Sequence, residues 1–409
     1  MYFSKIIPLF ILSFCLLGCQ SDIRQNAPSA TPESVGVNLT TQKILVGAER
    51  SDIYLPLLSG QSIAVVANAT SVAGDQHLVD ALLEDDVVIR KIFVPEHGFR
   101  GLKDAGETID NEIDAKTGLP IISLYGTNKK PTPELLSDVD VMVFDLQDVG
   151  VRFYTYLSTL HYVMESCAET DTPLIVFDRP NPNAHYVDGP VLKPEYSSFI
   201  GLHPVPLVYG MTIGEYAQMI NGEGWLDKGV QCDLTIIELE NYSHDTPYSL
   251  PIKPSPNLPN MDAVYLYPSL ALFEGTTVSI GRGTDVPFQI VGHPDYPNAE
   301  FSFTPRPVPG AMSPKLDGQL CYGLDLRKHD SSSAPLDAQL SLDWIIDFYA
   351  QLPDKETFFL ANNFFHKLAG NDVLMTQIKA GLSADDIKLS WQADLTQFQT
   401  VREKYLIYK

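Results

Sequence analysis

From about residue 60 the chain alternates short, nearly continuous apolar runs with stretches whose apolar positions recur at helical spacing. Ile63–Ala67, Val87–Val94, Ile121–Leu124, Val141–Leu146 and Leu174–Phe177 read as strands. His77–Leu83 reads as a short helix, and Thr132–Leu136 lies between two strands. Thr155–Ala168 is a longer helix, with Leu157, Leu160, Val163, Met164 and Cys167 on one face. Apolar strands without polar alternation, interleaved with helices, predict a parallel sheet covered on both faces. The fold class expected is therefore α/β, a Rossmann-like doubly wound parallel sheet. Thr212–Asn221 is a helix opened by a capping-box pattern, Thr212-Ile213-Gly214-Glu215, and Cys232–Leu239 alternates like a strand. Proline accumulates between residues 247 and 259, which places a boundary near residue 250. Beyond it lie turn-rich, strand-like segments to about 325, then helical patterns at Leu342–Gln351 and Val373–Ala380. Residues 43–250 form the expected Rossmann-like domain and 251–409 a second, smaller α+β domain.

The N-terminus carries a different pattern. Lys5 precedes an apolar run, Ile6–Leu17, too short to span a bilayer and shaped like the core of a signal peptide. It ends in Leu16-Leu17-Gly18-Cys19, which resembles a bacterial lipobox. Residues 1–18 are thus expected to be removed and Cys19 lipidated, the alternative being an ordinary signal peptide with an incidental cysteine. Residues 20–42 are polar and proline-bearing, a flexible tether. The expected location is the cell envelope, lipid-anchored, on the outer membrane facing the periplasm if the cell is Gram-negative.

Composition narrows the partners. The net charge is −23 over 409 residues, and −24 once the leader with its one base is gone. General electrostatic binding to nucleic acid is not expected of such a chain. Cys167, Cys232 and Cys321 make no disulfide framework, and no Cys or His spacing suggests zinc. Neither a GxSxG elbow nor an HExxH helix is present, which counts against serine-hydrolase and zinc-protease chemistry. No metal and no cofactor are expected.

The candidate chemistry sits where strands end. Four strands run directly into polar stretches: Pro95-Glu96-His97-Gly98, Tyr125-Gly126, Gln147-Asp148-Val149-Gly150, and Asp178-Arg179-Pro180-Asn181-Pro182. In a parallel sheet those ends share one edge, where ligands bind. Glu96 on its glycine-bounded loop, partly desolvated, suits protonation of a leaving oxygen. It could equally cap a helix or pair with Arg100. Asp145, Gln147, Asp148, Arg152, Tyr154 and Tyr156 offer the polar groups and aromatic faces that a sugar needs, although the same set suits any polar small molecule. Arg179 and Asn181 lie in a proline-shaped turn that could be structural. Glu274 stands in Phe273-Glu274-Gly275, and Arg282 and Thr284 in a glycine-flanked block that matches no nucleotide loop. Four of the ten arginines, Arg100, Arg152, Arg179 and Arg282, fall in these blocks, as suits a carboxylate-bearing ligand.

The blocks FVPEHGFRG, DAGE (Asp104–Glu107), SLYG, VFDLQDVGVRFYTY, FDRPNP, YGMTIGEYA, PSPNLPN (residues 254–260) and FEGTTVSIGRGTDVPF appear in the order found in a bacterial family of exo-β-N-acetylmuramidases, which the chain resembles over roughly residues 45–325. The resemblance implies a Rossmann-like domain, an auxiliary domain and a cleft between them. It implies that Glu96 is the principal catalytic acid/base; His97, Arg100 and Asn257 are also expected among the substrate contacts, His97 as a hydrogen-bonding residue. One departure is Asn183-Ala184-His185, where related chains often carry glycine-rich residues. A glycosidase also needs a second carboxylate or a substrate acetamido group. Glu274 is favoured, with Asp145 or Asp148 as alternatives. Arg282, then Arg152, is the expected contact for the lactyl carboxylate of muramic acid. The substrates expected are peptidoglycan-derived saccharides or muropeptides. Two other classes remain open: a non-catalytic muropeptide-binding lipoprotein, and an envelope hydrolase that uses a bound metal.

Overall fold

Successive residues of the central strand β1 (Ser62–Ala67) point into two different hydrophobic clusters. Ile63, Val65 and Ala67 join one, while Ala64 and Val66 join the other. The two-residue side-chain period of a strand forces this split, and an unbroken apolar run results because both faces are covered. In the computed structural model, which describes residues 42–96, 98–99, 112–297, 299–327 and 339–408, this strand lies at the centre of a seven-stranded sheet. Cys19, residues 20–41 of its tether and the DAGE block lie outside the described residues. Residues Lys43–Lys409 form one compact unit.

The other strands are β2 (Val88–Val94), β3 (Glu112–Ile113), β4 (Pro120–Ser123), β5 (Val141–Asp145), β6 (Leu174–Phe177) and β7 (Leu234–Ile237). The order across the sheet is β3-β4-β2-β1-β5-β6-β7. Every pairing is parallel except that of the short edge strand β3 with β4. Without that edge strand, the parallel strands follow the doubly wound order 3-2-1-4-5-6. The order reverses between β1 and β5, which opens a crevice beyond their C-terminal ends.

One face of the sheet is covered by α1 (Ser51–Leu58) and α2 (Leu78–Glu84), through Tyr54, Leu58, Leu78 and Leu82. The other is covered by α3 (Tyr156–Glu169) and α4 (Ile213–Gly222). The predicted capping box holds: Thr212 accepts from the Glu215 amide, and the Glu215 carboxylate accepts from the Thr212 amide. His77 is not helical but caps α2, its ring accepting from the Val79 amide.

The second part contains a three-stranded antiparallel sheet of β8 (Ile290–His293), β9 (Phe301–Phe303) and β10 (Cys321–Asp325), with helices around it. Its first element, α5 (Met261–Leu270), is a helix where the sequence suggested strand-like structure. Pro268 near its end disguised it, while Asn260 caps its start by accepting from the Ala263 amide. Val264 and Leu270 of α5 share one core with α3 and α4. The chain end also returns to the first sheet: the Tyr408 hydroxyl donates to Asp178 and accepts from the Leu239 amide. Cys167, Cys232 and Cys321 are free, buried thiols.

Candidate active site

A cavity of about 280 Å³ is bounded by both parts of the molecule. Glu96, two residues past β2, and Tyr125, two past β4, come from the sheet edge. Phe153–Tyr156 close the floor where the loop after β5 enters α3. Asn257, Tyr267, Glu274, Arg282 and Phe288 form the opposite wall. Residues more than 170 positions apart thus meet in one concave, aromatic-lined space. Such a space, with a few convergent polar groups, is the usual build of a small-molecule site.

The carboxylate of Glu96 accepts a hydrogen bond from Thr155 Oγ1 at 3.0 Å and is also hydrogen-bonded to the Tyr125 hydroxyl. Burial, then the charge of Glu96, push the Tyr125 phenol up, so it remains a neutral donor. Glu274 is held from the other side. Nε of Arg282 donates to its Oε1 at 2.9 Å, and a terminal guanidinium nitrogen lies 2.7 Å from the same oxygen. Burial works against the Arg282 charge, but the facing Glu274 outweighs it and raises the pKa. Arg282 also lies over the Phe288 ring, 5.0 Å from its centroid.

The aromatic candidates are in place. Tyr154 and Tyr156 meet edge to face at 4.6 Å. The Tyr154 hydroxyl donates to the Pro254 carbonyl at 2.7 Å, and that of Tyr156 accepts from Asn68 Nδ2 at 2.7 Å. Asn257 lines the cavity while its amide donates to the Gly310 carbonyl. Thr284 does not line it; its hydroxyl closes the turn on the Gly281 carbonyl at 2.7 Å.

The remaining candidates form a buried polar layer at the ends of β5 and β6 and do not line the cavity. Asp145 is fully buried, both its oxygens paired with Arg179 at 2.5 and 2.8 Å. This buried ion pair ties the ends of β5 and β6 together, and neither partner lines the cavity. Gln147 donates to the carbonyls of Asp148 and Pro180. Asn181 donates to the Met211 carbonyl and accepts from the Asn183 amide. It packs so closely on Gly150, whose φ is +78°, that an added Cβ there would lie 2.1 Å from it. Asp148 accepts from the Gly150 amide and the Tyr209 hydroxyl, and burial pushes it up to about 6 against those bonds.

Arg152 corrects an expectation. It is 2% exposed, and its guanidinium donates to the carbonyls of Pro190, Val205 and Leu368 at 2.7–2.9 Å. It ties three chain segments together instead of meeting a ligand carboxylate. His97 and Arg100 lie outside the described residues.

Sequence reasoning missed Tyr125 and Thr155 as partners of Glu96, although both stand in strand-end blocks. It had no signal for Tyr267, which stands on the unrecognised α5, and it passed over Phe288 although that residue ends the FEGTTVSIGRGTDVPF block. The strand order is that of dinucleotide-binding sheets, but the β1 turn is closed internally. The Asn68 amide donates to Ser71 Oγ, the Thr70 amide to Asn68 Oδ1, and Ser71 Oγ to the Asp145 carbonyl. A pyrophosphate-binding turn needs those amides open and glycines to let the ligand approach. Among the described residues, no three His, Cys, Asp or Glu side chains gather as a metal-ligand set.

Comparison with known proteins identifies the family of the chain. Residues 63–262 match the family described as exo-beta-N-acetylmuramidase NamZ, N-terminal, and residues 265–408 its C-terminal counterpart. The peptidoglycan beta-N-acetylmuramidase NamZ of Bacillus subtilis is 39% identical, over 93% of this chain and 95% of that protein. A crystal structure of a DUF1343 family protein from Bacteroides fragilis superposes with a TM-score of 0.83 at 46% identity, covering 90% of this chain and 99% of the other. A second protein of that family from the same organism gives 0.77 at 28% identity, with the same coverage.

Proposed function

Since the chain belongs to the exo-beta-N-acetylmuramidase NamZ family, and so is a glycoside hydrolase, we propose that it releases terminal β-linked N-acetylmuramic acid from the non-reducing end of peptidoglycan fragments. The observation that carries this reading is one small cavity bearing Glu96 on the sheet side and Glu274 on the other. At about 280 Å³ it falls just below the usual range of ligand pockets, about 300 Å³ upward, so it suits one sugar unit rather than a threaded glycan. Residues 43–250 carry the acid/base Glu96, and the smaller part, 251–409, contributes Glu274 and Arg282.

In this reading Glu96 protonates the glycosidic oxygen as the bond breaks, and Tyr125 and Thr155 hold its carboxyl group in line. Glu274 is the second carboxylate, facing the anomeric side. Two nitrogens of Arg282 serve Glu274, and we assign the third to the lactyl carboxylate. Tyr154, Tyr156, Tyr267 and Phe288 supply apolar faces for the pyranose ring. The protein acts in the cell envelope, tethered through a lipid on Cys19.

The test is incubation with a chromogenic β-glycoside of N-acetylmuramic acid, with and without chelator. Chelator-insensitive release of chromophore is the expected result. Binding without release would favour a muropeptide-capturing lipoprotein, and loss of release with chelator would favour a metal-dependent hydrolase.

A further inference from the structure

Lys315 carries none of the sequence signals discussed above, yet it reaches the turn that bears Glu274. Its ammonium donates to the carbonyls of Phe273 at 3.1 Å, Glu274 at 3.5 Å and Thr276. The first two belong to the helical turn Ala271–Gly275 and the third to the residue just past it, at a C-terminal end whose carbonyls carry partial negative charge; the Phe273 carbonyl also accepts from the Thr276 amide. Three N–H donors meet three acceptors. The surrounding segment, residues 305–318, also grips the neighbouring stretches of that wall. The Arg306 amide donates to the Gly283 carbonyl at 2.9 Å, and a Cβ on Gly283 would fall 2.6 Å from Pro314. The Gly310 carbonyl accepts from Asn257 at 2.9 Å. The stretches carrying Asn257, Glu274 and Arg282 are therefore strapped from behind by one loop.

We propose that Lys315 is a positioning residue for hydrolysis: its ammonium gathers the backbone around Glu274 and so fixes that carboxylate against Arg282 at the cavity wall. The inference rests on Glu274 as the second carboxylate. Burial pulls the Lys315 amine down to about 8, with Glu274 opposing that shift and Arg282 adding to it. At neutral pH the group is still mainly the ammonium that three carbonyls require.

A lysine that merely capped the helical turn would affect folding and leave Glu274 chemistry to itself. The distinguishing experiment is a double-mutant cycle in the full-length protein, using a chromogenic muramic acid β-glycoside and a thermal melt for each variant. Lys315→Met should lower kcat by ~10- to 100-fold, as a displaced catalytic group does, with KM within ~2-fold. Lys315→Arg should recover most of that loss. In a Glu274→Gln background, Lys315→Met should cost less than ~2-fold more, because residues that act as a unit are not additive. Equal losses in both backgrounds, or full kcat in folded Lys315→Met, would overturn the inference while leaving Glu274 in its role. Near-normal kcat in Glu274→Gln would remove the premise itself, a separate and recognisable result. Should Lys315→Met not fold, Lys315→Gln runs the same cycle with an amide donor in its place.

Discussion

Replacing Arg152 by methionine separates two roles that the sequence alone could not. The side chain is buried, and it satisfies three carbonyls from segments separated by up to 178 positions, Pro190, Val205 and Leu368. Methionine keeps much of the volume and provides no donor. Each stranded carbonyl costs about 1 kcal/mol or more. The Val205 carbonyl keeps the Leu192 amide, so two are stranded, those of Pro190 and Leu368, at about 2–4 kcal/mol together, offset in part because a cation no longer has to be buried without a carboxylate partner. The net expectation is a destabilisation of about 1–3 kcal/mol, a sizeable part of a typical total of about 5–15 kcal/mol. Equilibrium urea unfolding followed by circular dichroism measures it, beside kcat and KM of the folded fraction. The midpoint should fall clearly, while KM for muramic glycosides in folded protein changes little. Unchanged stability together with a sharply raised KM would refute the structural role and return Arg152 to the substrate.

Other expectations follow from the same contacts. His203 is buried, bonded to Tyr216 and His161 and stacked on Trp225, and burial holds its pKa well below 6.5. The unfolded chain therefore takes up more protons below about 6.5, so stability should fall as pH drops through that value; His203→Gln should flatten the slope in urea titrations across this range. Glycosides of plain N-acetylglucosamine should be poor substrates, and Arg282→Gln should narrow the gap between the two sugars, as compared by kcat/KM. Cys19→Ser should abolish acyl labelling and release the protein from membranes on fractionation, whereas unchanged labelling would contradict lipid anchoring at that residue.

The frame of the molecule was legible because burial on both faces leaves strands with no polar alternation. The strand-end argument put Glu96, Tyr125, Gln147, Asp148, Arg179 and Asn181 on one edge, of which only Glu96 and Tyr125 line the cavity. Convergence of Glu274, Arg282 and Asn257 on that edge came with the family pattern, not with periodicity. What stayed hidden depended on partners far away in the chain. Arg152 and Arg179 read as ligand-binding arginines because their carbonyl and Asp145 partners are visible only in three dimensions. The α5 helix was hidden by Pro268, and with it went Tyr267. Lys315 sits in a turn-rich stretch whose importance comes from the carbonyls behind Glu274.

The central claim is that Glu96 supplies the proton for release of a terminal muramic acid. It is tested most directly by following a defined glycan ending in N-acetylmuramic acid at its non-reducing end, with wild type and Glu96→Gln. Glutamine keeps the shape and removes the transferable proton, so kcat should fall by at least ~100-fold with little change in affinity. Wild type should yield free N-acetylmuramic acid and a chain one residue shorter as the earliest products. Near-normal turnover by folded Glu96→Gln, or internal fragments appearing first with wild type, would contradict the account.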